Sequence, residues 1–274
     1  DIELSAIVTM ADSGGSTGRL RDEYGVLPPG DLRQCLVALS EAPLSLRRRV
    51  NFRYDRGGFK GHTFGNIFIS TFEQMTGSLD RAIDLASEVL KIRGTVIPVT
   101  LQNTHLIAEL GNGKKLEGEN AFSSYQLVSK FGLKRIYLSP CPRANPKALK
   151  AIREADAIIV GPGNFYSSIV PNFLVTGVAH AVARSKAKKI FIANIMNKHG
   201  QTDDFKVETY LTTLESIAKI KLFDAVLYNT KQPSRALLHT YADEGEPVDT
   251  HVKSVARRPL IGEDLLAQGL YRSP

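Results

Sequence analysis

The residues able to do chemistry gather in glycine-rich segments beside apolar ones. Behind the apolar run 4–10 the chain reads Asp12-Ser13-Gly14-Gly15-Ser16-Thr17-Gly18-Arg19-Leu20-Arg21. Gly14, Gly15 and Gly18 let backbone N–H groups close on an oxygen-rich ligand. Ser16 and Thr17 add hydroxyls, and Arg19 adds positive charge. The phosphate signatures G-x-G-x-x-G and G-x-x-x-x-G-K-[ST] do not account for this spacing.

Three further segments share the character. Leu27-Pro28-Pro29-Gly30-Asp31-Leu32-Arg33 is a Pro-Pro-Gly turn that delivers Asp31 and Arg33 to the start of a helix. Gly61-His62-Thr63-Phe64-Gly65-Asn66 precedes an apolar helix, with Gly61 and Gly65 flanking His62 and Asn66. Gly161-Pro162-Gly163-Asn164-Phe165-Tyr166-Ser167-Ser168 follows the apolar run 156–160. A polar stretch from Asn194 to Gln201 follows another predicted strand. Glycine, hydroxyl and amide groups with a few charges suit a nucleotide or a nucleotide-sugar. Asp12 and Asp31 are the candidate carboxylates for Mg²⁺, which takes one or two of them beside phosphate oxygens. A helix cap explains Asp31 equally well. No H-E-x-x-H or C-x-x-C occurs and no nucleophile–base arrangement is legible, so no catalytic residue is assigned. The sequence announces a binding site more clearly than a reaction.

Taken in order, D-S-G-G-S-T-G-R-L-R, P-P-G-D-L-R-Q-C-L, G-H-T-F-G-N and G-P-G-N-F-Y-S-S resemble the CofD-like group, and within it the YvcK-like gluconeogenesis factors. The resemblance runs from about Ala6 to the end of the chain. That branch typically reads D-D-G-G-S-S-G-R-L-R at the first site and G-P-G-S-L-Y-T-S at the last. Ser13 stands where the branch usually has a second Asp, which removes one acidic group from any metal site. Asn197-Lys198-His199-Gly200-Gln201-Thr202 departs from the branch's T-Q-P-G-E-T.

The resemblance implies a cytoplasmic regulator that binds UDP-N-acetylglucosamine or a similar nucleotide-sugar and is tied to carbon metabolism and cell-wall or cell-shape maintenance. It implies ligand contacts for Tyr241 and Arg272, and pocket positions for His62 and Asn66. It also implies a first strand and G-G-G-T-G loop ahead of residue 4, which the sequence in hand does not include. The alternative is a Mg²⁺-dependent 2-phospho-L-lactate transferase acting on a deazaflavin cofactor precursor.

Bulk properties bound these readings. At 274 residues and 43% hydrophobic content the chain can bury a sizeable core, and residues 1–274 read as one α/β domain. The net charge of +7 favours an anionic ligand. Its basic clusters, Arg47-Arg48-Arg49 and Lys186-Ala187-Lys188-Lys189 among them, come with no nucleic-acid module and read as a solvated face. Cys35 and Cys141 have no metal-like or redox-like spacing, which suits a reducing compartment. No apolar run of about 18 residues and no signal peptide occur. A homo-oligomer is compatible with all of this.

The elements that must position the site alternate. Helices are predicted over 31–42, 79–92, 145–155, 172–185, 205–219 and 233–242. Strands are predicted over 4–10, 95–101, 104–110, 114–119, 135–139, 157–160, 189–194 and 224–229. Gly111-Asn112-Gly113 is the turn of an antiparallel hairpin insertion. The order predicts a three-layer α/β sandwich with a mostly parallel, Rossmann-like sheet. Ligands of such sheets lie beyond the carboxyl ends of the strands, so the glycine-rich segments are expected to line one pocket.

Overall fold

A computed structural model describes residues 2–118, 127–251 and 258–266. The fold is mixed α/β, as the alternation predicts. β1 (Ser5–Val8) pairs in parallel with β2 (Thr95–Pro98), in the register Ala6↔Val96 and Ile7↔Ile97. The chain between them forms five helices: α1 (Gly15–Tyr24), α2 (Gly30–Ala38), α3 (Leu44–Val50), α4 (Phe64–Thr76) and α5 (Leu79–Leu90). Apolar residues at one-face spacing put Leu79, Ile83, Ala86 and Leu90 of α5 in the core. In α2, Leu32 and Leu36 are fully buried, and Cys35 beside them is half-buried and free.

After β2 the chain builds an antiparallel unit, β3 (His105–Leu110), β4 (Lys115–Glu117) and β5 (Leu133–Ser139), in the order β4-β3-β5. Pairs such as Leu106↔Leu138 and Ala108↔Ile136 set its register. It is larger than the expected hairpin, because β5 returns along β3 instead of rejoining the parallel strands. β6 (Ala157–Val160), β7 (Lys188–Ile192), β8 (Ala225–Asn229) and β9 (Leu260–Glu263) then form a four-stranded parallel sheet in chain order. The parallel strands therefore fall into two ladders, separated in the chain by the antiparallel unit. β9 was not expected, since its Leu-Ile-Gly-Glu run is too short to stand out from a polar tail.

Helix boundaries differ instructively. The segment 172–185 is not one helix: it holds the end of Val170–Leu174, which continues a π-helical turn at Phe165–Ile169, and then Val178–Arg184. Gly177, at φ 100°, interrupts it. The helix Pro146–Glu154 begins as predicted, with proline in its first turn and Asn145 Oδ1 accepting from Lys147 N at 3.0 Å. Behind β6, Phe165, Tyr166, Phe205 and Tyr210 make an edge-to-face cluster with centroids 5.0–6.5 Å apart. That cluster fixes the 161–168 segment against the helix Val207–Ala218.

Candidate functional site

The first glycine-rich segment is a strand–turn–helix junction. Asp12 Oδ1 accepts from Gly14 N at 2.7 Å, a tight turn that starts α1 at Gly15. Ser16, Thr17, Gly18 and Arg19 are thus helical, not loop, and the unpaired N–H groups of the first turn carry the helix's positive end. Gly18 packs on the Ser13 carbonyl, where a Cβ would clash.

Asp31 does not cap α2. The N-cap is Pro29, and Asp31 lies in the first turn. Gly30 explains why it meets Asp12: a Cβ there would overlap Asp12 Oδ2 and lie 2.6 Å from Thr17 Oγ1. The two helix starts abut. Burial first, and then the nearby Asp12 charge, raise the Asp31 pKa to about 6 despite the pull of Arg33.

Arg33 joins the third segment to these two. Its Nε donates to Asn66 Oδ1 at 3.0 Å, and its Nη1 donates to Asn51 Oδ1. Burial and then Arg53 lower its pKa, while Asp31 and Asp12 act in the opposite sense. Asn66 Nδ2 donates to Ser16 Oγ at 3.2 Å and to Thr17 Oγ1 at 3.4 Å. Gly65 is where α4 approaches α3, since a Cβ there would lie 2.6 Å from Val50 O and 2.7 Å from Arg33 Cδ. Arg19 is exposed, with Nη2 donating to Lys60 O at 2.6 Å.

The letters Gly14-Gly15-Ser16-Thr17-Gly18 also satisfy G-x-S-x-G, and Ser16 Oγ lies 3.1 Å from His62 Nδ1. The structure thus supplies a hydroxyl–imidazole pair that the sequence reading did not find. Its geometry is that of a brace. Ser16 Oγ already accepts from Asn66 Nδ2 and from Thr63 N at 3.4 Å. With those two donors on the oxygen, its own proton points to His62 Nδ1, and the bonds tie α1 to the 61–66 segment. Burial, then the Arg19 charge, lower the His62 pKa, against a smaller opposing pull from Glu23.

Asp12, Ser16, Thr17, Asp31, Arg33, His62 and Asn66 thus form one cluster. The segment 161–168 and Asn194 form a second group. Gly161 packs on the Ile192 carbonyl, and Asn194 Nδ2 donates to Gly163 O at 2.9 Å. Ser167 Oγ and Asn194 Oδ1 have no hydrogen-bond partner among the described residues. Asn164 precedes the π-helical turn, and its carbonyl accepts from Ser168 N at 2.8 Å. Tyr241 lines an apolar cavity of about 190 Å³ with Ile195, Met196 and Leu237, directly after Asn194. No hydrogen bond among the described residues joins the two groups. Arg272 lies outside the described residues. Asn51 is the site residue that sequence reasoning missed, because a lone Asn after an Arg-rich helix carries no local signal.

The family model for 2-phospho-L-lactate transferase CofD matches residues 1–261. The chain belongs to the CofD family. Among CofD relatives, a gluconeogenesis factor of Listeria monocytogenes is 38% identical over 274 residues, covering 99% of this chain and 81% of its own length. A gluconeogenesis factor of Halalkalibacterium halodurans is 36% identical over 252 residues, covering 90% and 76%. A Nostoc relative is 43% identical, but this chain spans only 53% of its length. A Bacillus halodurans crystal structure matches with a TM-score of 0.90 at 34% identity, covering 96% of this CofD chain and 85% of that one.

Proposed function

We propose that this CofD-family protein is a cytoplasmic regulator of the gluconeogenesis-factor type that binds a nucleotide-sugar resembling UDP-N-acetylglucosamine. Carbon metabolism and cell-wall or cell-shape maintenance are the processes it would serve. The observation that carries the reading is the convergence of Asp12, Ser16, Asp31, Arg33, His62 and Asn66 on the positive end of α1. An arginine, uncoordinated backbone N–H groups and braced amides suit a diphosphate. Tyr241 in its apolar cavity suits a planar base.

The bonds from Asn66 Nδ2 and Thr63 N to Ser16 Oγ hold the segments together around a bound ligand. Asp12 and Asp31 fit a Mg²⁺ ion, because burial and the Asp12 charge raise the cost of ionising Asp31 and a divalent charge relieves it. When bound, the ion would neutralise diphosphate charge. Titration calorimetry with UDP-N-acetylglucosamine should give saturable binding that Arg33→Met weakens. No heat at millimolar ligand would refute the reading.

The second reading is the phospholactyl transfer for which the family model is named. Asp12 and Asp31 would then hold Mg²⁺, and Arg33 with Arg19 would stabilise charge on the donor diphosphate. Incubation with the guanosine-linked donor and the deazaflavin acceptor, with and without Mg²⁺, separates the two. Mg²⁺-dependent product favours the enzyme.

A further inference from the structure

His199 departs from the pattern its neighbourhood otherwise resembles, and the phosphate site does not use it. Its Nε2 lies 3.2 Å from the Ala242 carbonyl oxygen, which can only accept, so that nitrogen carries a proton. Nδ1 lies 3.2 Å from Asp203 Oδ1 and 3.3 Å from Glu246 Oε2. The three ligand atoms lie within 4.8 Å of one another, and none of the three residues is fully exposed.

Groups outside the triad orient it. Asp203 Oδ2 accepts from Gly200 N at 2.7 Å and from Ser129 Oγ. Glu246 Oε1 accepts from Asn197 Nδ2 at 2.9 Å and from Asp204 N at 3.0 Å. Each carboxylate therefore has one oxygen tied back and turns the other to His199 Nδ1. A histidine whose far nitrogen donates to a carbonyl, beside carboxylates held by outer donors, is how proteins prepare metal ligands.

A cation has to sit between Nδ1 and the two carboxylates. A proton there serves one carboxylate at a time and neutralises one charge. A divalent ion engages all three atoms and balances both. We propose that His199, Asp203 and Glu246 bind a divalent transition-metal ion of the zinc class through one nitrogen and two oxygens, with solvent completing the coordination. The ion clamps the segment after β7 to the segment that follows the helix Arg235–Tyr241. The site stands whether or not the nucleotide-sugar reading does, since the two share no residue.

Zinc titration of the full chain by calorimetry, with Co²⁺ absorption as a spectroscopic readout, tests the assignment. One ion per chain is expected, and His199→Gln and Asp203→Asn should each weaken it by about tenfold or more. Circular dichroism confirms that the variants fold, and His199→Gln suffices if Asp203→Asn does not. His251→Gln is the control, because among the described residues His251 pairs only with Asp249 and is almost fully exposed; it should bind as the parent does. Wild-type affinity in a folded His199→Gln variant would overturn the proposal. So would a parent that takes no zinc at millimolar concentration while its His199 Nδ1 proton is seen by NMR.

Discussion

Arg33 organises the candidate site at the scale of single residues. Its guanidinium fixes Asn66 and Asn51, and its charge faces Asp31 and Asp12. Arg19 is different: it is exposed and bonded to one carbonyl. Arg19→Ala should weaken a phosphate-bearing ligand by about tenfold, one lost charge-assisted hydrogen bond. The melting midpoint should barely move, because an exposed charge contributes little to folding. Calorimetry and a thermal melt of the same variant check both halves, and an unfolded variant would make Arg19 a structural brace.

Asp31 carries a pH dependence whose sign is fixed. Its folded pKa of about 6 lies above the ordinary carboxyl value of 3.8, so the folded state holds its proton more tightly. The resulting stability is complete below about pH 4 and is lost as pH rises through about 6. In metal-free and ligand-free protein, Asp31→Asn should be more stable than the parent at pH 7 by roughly 3 kcal/mol. The difference should vanish near pH 4. Denaturant titrations at the two pH values measure it.

Among elements, the abutting starts of α1 and α2 decide whether the site exists. Gly30→Ala places a methyl against Asp12 Oδ2 and Thr17 Oγ1, both side-chain atoms able to swing away. The variant should fold, with ligand affinity lost rather than stability. Calorimetry beside circular dichroism shows which. Behind β7, Tyr210 supports the 197–202 turn: its hydroxyl lies 2.8 Å from Asn197 Oδ1 and 3.1 Å from Thr202 Oγ1. Tyr210→Phe leaves buried Asn197 short of a donor and should cost about 1–2 kcal/mol in chemical denaturation. Because the same turn carries His199, zinc affinity should fall with it.

For the whole molecule, Phe191 of β7 is fully buried and packs 5.4 Å from the Phe223 ring, which in turn lies 6.4 Å from Phe173 of the helix Val170–Leu174 and so links the parallel sheet to it. Phe191→Ala should cost roughly 3–5 kcal/mol by leaving a cavity in the core. Among the described residues no helix is long and apolar enough to cross a membrane. The net charge of +7 acts on ligands at long range, so affinity for an anion should fall as salt rises.

What the sequence determined by itself was local. The buried face of α5, the bounds of β6, the Asn145 cap and the turn at Asp12 each depend on residues within a turn or two, where spacing and cap chemistry act directly. The glycine-rich segments were legible for the same reason, as was their chemistry. Their meeting was a tertiary outcome: Asp31 reaches Asp12 because Gly30 lets α2 touch α1, and Asn66 reaches Ser16 because α4 packs on α1. The return of β5 along β3, the addition of β9, and the approach of Glu246 to His199 were decided in the same way. Each depends on strand register and helix packing summed over many distant side chains, and no short stretch of sequence carries that sum.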